Sequence, residues 1–123
     1  MKTLFIQNNG IQESIGIANL SGILKANGHE TDLLLVSHTP DLIGWARRND
    51  FDLMLAGHNH GGQIRFPLVG SVLVPSSYGR RYDCGTFDEP PTVLHVSRGL
   101  AGQHPLRFHC RPEVTKIVLR AGA

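Results

Sequence analysis

Cysteine is scarce in this chain of 123 residues: Cys84 and Cys110 are the whole supply. They are too few for a disulfide framework and do not form a C-x-x-C pair, so neither a small secreted scaffold nor a cysteine-based zinc module fits. Reduced thiols are expected, with no neighbouring pattern that would activate either one. Long apolar runs are missing too. Nothing approaches the roughly 18 apolar residues of a membrane helix, and Met1-Lys2-Thr3 leads straight into a strand-like segment instead of a signal peptide's apolar core. The expectation is a soluble, cytoplasmic protein with no membrane partner. Charge of one sign is equally sparse, with 12 Lys and Arg against 10 Asp and Glu. A net charge of +2, with basic pairs only at Arg47-Arg48 and Arg80-Arg81, leaves no electrostatic footprint for nucleic acid. Neither G-x-G-x-x-G nor G-x-x-x-x-G-K occurs, so no nucleotide fingerprint is present. There is no internal repeat, no low-complexity tract and no linker. What stands out is histidine, seven in all.

The N-terminal half alternates strand and helix signals. Thr3 to Gln7 is a short apolar run ending in Asn8-Asn9-Gly10, the punctuation of a buried strand leaving a sheet. Ser14 can cap a following helix whose Ile17, Leu20, Ser21 and Leu24 recur at helical spacing, with Gly28 as a left-handed stop. Asp32 to Ser37 is a second continuous apolar run, which makes the opening a parallel βαβ unit. Pro40 starts a short helix over Asp41 to Asn49, with Leu42, Ile43, Trp45 and Ala46 as its apolar stripe and Arg47-Arg48 in its last turn. Asp52 to Ala56 is a third strand. From Gln63 onward the texture becomes short β-prone runs divided by Pro and Gly: QIRF, SVLV, TVLHVS and VTKIVLR. The fold class is therefore α/β, an N-terminal βαβαβ parallel unit continuing into a mostly β C-terminal half, in one compact domain over residues 1–123.

Chemistry concentrates at the ends of the second and third strands, in Ser37-His38-Thr39-Pro40-Asp41 and Gly57-His58-Asn59-His60-Gly61-Gly62. Parallel neighbours bring their carboxyl ends together, at the edge where open α/β sheets bind ligands. Imidazole suits zinc, iron and related ions, and H-x-H on an extended loop presents two imidazoles to one metal or to two adjacent ones. Gly57, Gly61 and Gly62 allow the loop a close approach. His38, His58 and His60 are thus the candidate metal ligands, whereas His29, His95, His104 and His109 read as solvated or hydrogen-bonded residues.

The segments SHTPD (37–41), DLMLAGHNHGGQIRFP (52–67), YGRRYDCG (78–85), VSRGL (96–100) and RPE (111–113) together resemble the carboxyl-terminal half of a calcineurin-like metallophosphoesterase, over about residues 34 to 119. The resemblance implies that His38 and His58 ligate one ion of a dinuclear centre and His60 the other, and that the ions activate hydroxide and neutralise phosphoryl charge. It makes phosphate the anion that Arg80, Arg81 and Arg98 would meet, although pairing with Asp83 or Glu89 explains such arginines equally well. The family's D-x-H, G-D-x-x-D and G-N-H-[DE] motifs do not occur among these residues. Asn8 and Asn9 stand where the first of those motifs would lie, as accessory ligands or as ordinary turn residues. The opening stretch, residues 1 to about 35, is similar to the first βαβ unit of the flavodoxin-like cobalamin-binding domain that precedes many radical S-adenosylmethionine enzymes, through its strand, helix and G-H-E-T-D turn. Cobalamin binding does not carry over with it, because the D-x-H-x-x-G motif is absent, and so is the radical cluster's C-x-x-x-C-x-x-C. The two resemblances meet near Leu33 to Ser37 and imply a recombined, chimera-like chain.

Three readings stay open. One is a partial histidine site holding one divalent ion (Zn, Mn or Fe), with a phosphate-ester small molecule as partner and little or no hydrolysis. A second is a module that binds a nucleotide-like or cobalamin-like ligand, and a third is a folded chimeric scaffold without activity. Half of a two-sheet core would also expose an apolar face, from which a homodimer is expected.

Overall fold

The computed structural model describes residues 2–9, 16–102 and 106–120, with side chains from residue 19 onward. Strand β1 (Lys2–Asn9), helix α1 (Gly16–Ala26), strand β2 (Glu30–Ser37), helix α2 (Ile43–Arg48) and strand β3 (Leu53–Ala56) form the alternating half. Short strands β4 (Arg65–Phe66) and β5 (Gly70–Ser71) pair as a small antiparallel ribbon. Strands β6 (Gly85–Glu89) and β7 (Thr92–Val96) form an antiparallel hairpin that joins the main sheet. That sheet has the order β1-β2-β3-β7-β6, with β1, β2, β3 and β7 parallel and β6 an antiparallel edge.

The α/β architecture read from the sequence is the one observed, and its core explains why. Register places Leu35 beside Met54 and Met54 beside Leu94, a row of three wholly buried side chains crossing three strands on one face. Leu33, Ala56 and Val96 extend that face, and Ile43, Trp45 and Ala46 of α2 close over it together with Phe51 and Tyr82. The stripe expected on the second helix is thus the side that packs. β2 also buries Leu34 on its other face, which is why its sequence is continuously apolar instead of alternating. At the turn into β3, Asp52 ties the two strands together: its carboxylate accepts from the Leu33 amide at 2.7 Å, and its own amide donates to the Leu33 carbonyl at 3.0 Å.

Several local expectations change. The second helix begins as a 3-10 turn at Pro40–Leu42, with Thr39 accepting from the Asp41 amide, and becomes α-helical only at Ile43. α1 does stop at a left-handed Gly28 (φ 77°), yet its expected stripe is only partly used: Ser21 is buried against Thr31 through a 2.6 Å hydroxyl contact, while Leu20 is 45% exposed. Ser14 lies outside the described residues. The run VTKIVLR forms no strand; Val114, Ile117, Val118 and Leu119 are all exposed, because no strand edge among the described residues pairs with this segment. β6, with its less apolar GTFDE, carries no sequence signal of its own and is a strand because β7 pairs with it. No helix of the described residues is long and apolar enough to cross a membrane.

Candidate metal centre

The parallel pairing of β2 with β3 delivers His38 and the 57–62 loop to the same sheet end, and the Gly57 amide donates to the His38 carbonyl at 3.3 Å. The rings of His38 and His58 lie 4.3 Å apart, and His60 stands one step further, 6.5 Å from His58. Imidazole nitrogens bind such ions at about 2.0–2.1 Å, so the donor types gathered at this sheet end suit a divalent ion. As placed, no group of three or more His, Cys, Asp and Glu side chains among the described residues converges closely enough to hold a metal ion. His60 is adjacent to the pair without closing a three-ligand group. Burial, with the neighbouring His38 and His60 imidazoles, lowers the pKa of His58, and Asp41 opposes them only in part. Neutral imidazole is the ligating form.

The loop is held in a conformation that side chains normally avoid. His58 (φ 40°), His60 (φ 48°) and Gln63 (φ 52°) all have positive φ, next to Gly61 (φ 63°) and Gly62 (φ 74°). Such backbone costs about 1–3 kcal/mol per residue and persists only where the surroundings enforce it. Four supports do so. Asn59, buried between the two histidines, donates from its Nδ2 to the Tyr82 carbonyl at 2.8 Å. Cys110, also buried, directs its Sγ–H at the His60 carbonyl at 3.1 Å. Arg65 donates to the Gly61 carbonyl at 3.2 Å and to Asp83 at 2.6 Å, and Ser71 donates to the same carboxylate oxygen at 2.6 Å. Burial pushes the Asp83 carboxyl up, but the hydrogen bonds from Ser71, Arg65 and the Cys84 amide outweigh it and hold the group below the usual carboxylate range. The fourth support is close packing, since a Cβ at Gly61 would stand 2.7 Å from the Cys110 Sγ and 2.8 Å from the Arg98 Cγ.

Tyr82 anchors this scaffold from below. Its ring packs edge-on against Phe87 and Tyr78, and its hydroxyl donates to Glu89 at 2.6 Å. Burial, then the bond to Glu89, pushes its pKa up to about 12. Because the folded value lies above the ordinary 10, the corresponding stability is fully present below pH 10 and is lost as pH rises toward 12. Urea midpoints measured across that window should fall steeply for the native chain and much less for Tyr82→Phe, which should also cost about 1.5 kcal/mol at neutral pH.

The three arginines expected to meet phosphate are engaged within the protein. Arg80 donates to the Val69 and Ser71 carbonyls at 3.0 and 3.3 Å, Arg81 pairs with Glu89 at 2.8 Å, and Arg98 pairs with Glu113 at 2.6 Å. Of these, Arg98 also packs its aliphatic stem against the histidine loop. The pairing of Arg81 with Glu89 is the alternative weighed from the sequence, whereas Asp83 is taken by Arg65. Register puts Asn8 and Asn9 beside Val36 and Ser37, at the histidine end of the sheet, and their side chains lie outside the described residues. Among the other histidines, His29 and His109 are exposed, His95 shares a 2.9 Å hydrogen bond with Thr86, and His104 lies outside the described residues. Both cysteines are free; burial, then the adjacent Asp83, raises the Cys84 thiol, which accords with an unreactive thiol at that position. Sequence reasoning passed over Arg65, Asn59 and the roles of Asp83 and Cys110. Each makes at least one contact with a residue more than ten positions away, which a linear motif does not reveal.

The chain is similar to several known phosphoesterase-type proteins. The chain is 41% identical over 86 residues to Phosphodiesterase YaeI of Escherichia coli, covering 70% of this chain and 32% of that protein. It is 33% identical over 108 residues to the uncharacterized metallophosphoesterase YkuE of Bacillus subtilis, covering 87% of this chain and 37% of that one. It is also 28% identical over 88 residues to UDP-2,3-diacylglucosamine pyrophosphatase LpxG of Chlamydia muridarum, covering 66% and 27%. No protein-family model matches the chain, and no solved structure does. The chain spans about a third of the length of the first two relatives. A match over 87% of this chain exceeds residues 34–123 alone, so the similarity runs into the N-terminal βαβ unit. The expectation of a separate cobalamin-domain-like segment, and with it of a chimera, therefore finds no support. With GHNHGG at the end of β3 and a relative of that name matching 87% of its length, this chain is metallophosphoesterase-like.

Proposed function

We propose that His38, His58 and His60 form a partial seat for one divalent ion (Zn, Mn or Fe) in a phosphoesterase-type site that acts on phosphate-ester small molecules. The observation that carries this reading is the 4.3 Å approach of the His38 and His58 rings at the ends of adjacent parallel strands. Bound there, such an ion supplies Lewis-acid polarisation of a phosphoryl oxygen and a water of lowered pKa. The chain's own residues do the rest. Asp41 is held by Ser76 and the Ser77 amide at 2.6 and 3.1 Å, which fixes the turn that carries His38. The Arg65–Asp83–Ser71 strut and Cys110 hold the loop that carries His58 and His60. Turnover by these 123 residues is slow, because D-x-H, G-D-x-x-D and G-N-H-[DE] are not among them and a clamp on both attacking and leaving oxygens needs a second ion.

Elemental analysis after reconstitution with Zn²⁺ or Mn²⁺, alongside hydrolysis of bis(p-nitrophenyl) phosphate, tests the reading. About one ion per chain, with weak hydrolysis abolished by chelation, is the expected result. Metal-free protein after reconstitution would overturn it in favour of an inactive scaffold.

A further inference from the structure

Beside the histidine loop lies a cleft of about 800 Å³, a volume in the range that takes drug-sized ligands. Its lining combines two chemistries, with His58, Asn59, His60 and Gln63 polar and Ile64, Phe66, Val72, Leu73, Pro75 and Leu106 apolar. Phe66, Val72, Leu73 and Leu106 are 47%, 58%, 79% and 59% exposed, a concentration of large apolar side chains facing solvent around one concavity. Among the described residues, no Asp, Glu, Lys or Arg lines it. The nearby guanidiniums are committed elsewhere, Arg65 to Asp83 and Gly61, and Arg80 to the carbonyls of Val69 and Ser71. Among the described residues a polyanion such as a nucleoside diphosphate would find no lysine or arginine along the lining, whereas an apolar group would find six apolar side chains.

We propose that this cleft binds the apolar alcohol portion of an amphiphilic phosphoester, with the phosphoryl group beside His58 and His60 and an alkyl chain against Phe66, Val72, Leu73 and Leu106. The inference rests on the phosphoesterase reading for the orientation of the ligand and adds its class. Burial of the chain supplies affinity at about fourfold per methylene removed from water.

Calorimetric titration with methyl, butyl and hexyl phosphate, and with ADP, tests it on Zn²⁺-treated protein. The dissociation constant should fall at least tenfold from butyl to hexyl phosphate, and ADP should bind more weakly than hexyl phosphate. Leu73→Asp should erase the dependence on chain length. Leu68→Ser should leave it intact, since Leu68 is fully exposed at the β4–β5 tip and does not line the cleft. Thermal melts establish that each variant is folded, and Val72→Ser serves in place of Leu73→Asp if the latter is not. A flat series, tighter binding of ADP, or an equal loss in Leu68→Ser overturns the proposal. Sedimentation with phosphatidic acid vesicles separates the two sources of such an ester: co-sedimentation assigns it to a lipid headgroup, and hexyl phosphate binding without it assigns it to a soluble metabolite. Failure here is distinguishable from failure of the metal reading. Stoichiometric metal with a flat series removes only the cleft proposal, and a length-dependent series on metal-free protein removes only the metal site.

Discussion

Replacing His58 and His60 together by alanine should take the bound metal from about one ion per chain to none detectable after desalting, with any phosphodiester hydrolysis lost alongside. Removing even a partner that only orients a ligand typically weakens metal binding 10- to 100-fold, so deleting two of three imidazoles should exceed that range. His29→Ala is the informative control. His29 is exposed in the turn before β2, far along the strand from the histidine end, and its loss should leave the metal content unchanged. Equal metal content in the double variant and the control would show that the sheet-end histidines are not ligands. The double variant should remain folded, because alanine relieves two non-glycine residues of no core contact: neither His58 nor His60 belongs to the buried cluster around Leu35, Met54 and Leu94.

The second large effect concerns the loop's backbone. Gly62→Ala should destabilise the protein by about 2–4 kcal/mol, from the left-handed conformation (φ 74°) that disfavours a Cβ and from overpacking. The added Cβ would stand 2.5 Å from the Ser71 Cβ and 3.1 Å from the Leu73 carbonyl, both in the segment that carries Ser71 to Asp83. Two other glycines separate the causes. At Gly79 φ is 55° with open space around it, so Gly79→Ala should cost only the conformational part, about 1 kcal/mol. At Gly57 neither a positive φ nor a neighbour opposes a methyl group, and Gly57→Ala should be close to neutral. Denaturant midpoints falling in the order Gly57, Gly79, Gly62 would confirm that close approach is what Gly62 serves. A Gly62→Ala midpoint equal to that of Gly79→Ala would show that the Ser71 segment yields instead.

The parts legible in sequence are those whose cause is local. β2 announced itself because a strand buried on both faces must be apolar throughout, and α2 because the stripe at Ile43, Trp45 and Ala46 states its inward side, although Pro40 opens a 3-10 turn before it. The histidines were legible for a related reason: His38 and the G-H-x-H loop each end an apolar run, and parallel strands align such ends. VTKIVLR shows the limit. Its composition suits a strand, but a strand exists only where a partner supplies hydrogen bonds, and β6 exists for the same reason despite a weaker composition.

The sequence by itself therefore determined the α/β class, the strands and helices of the alternating half and the identity of the candidate ligands, because hydrophobic period, capping and turn chemistry are properties of neighbours along the chain. Only the tertiary structure decided that His38 and His58 approach to 4.3 Å while His60 stands apart, and that Arg81 and Arg98 are taken by Glu89 and Glu113. It alone also decided that Arg65, Asn59 and Cys110 hold the loop, and that a cleft with six apolar lining residues opens beside it. Each of these depends on which distant residue satisfies a buried polar group or fills a space next to it, and that assignment is made by packing.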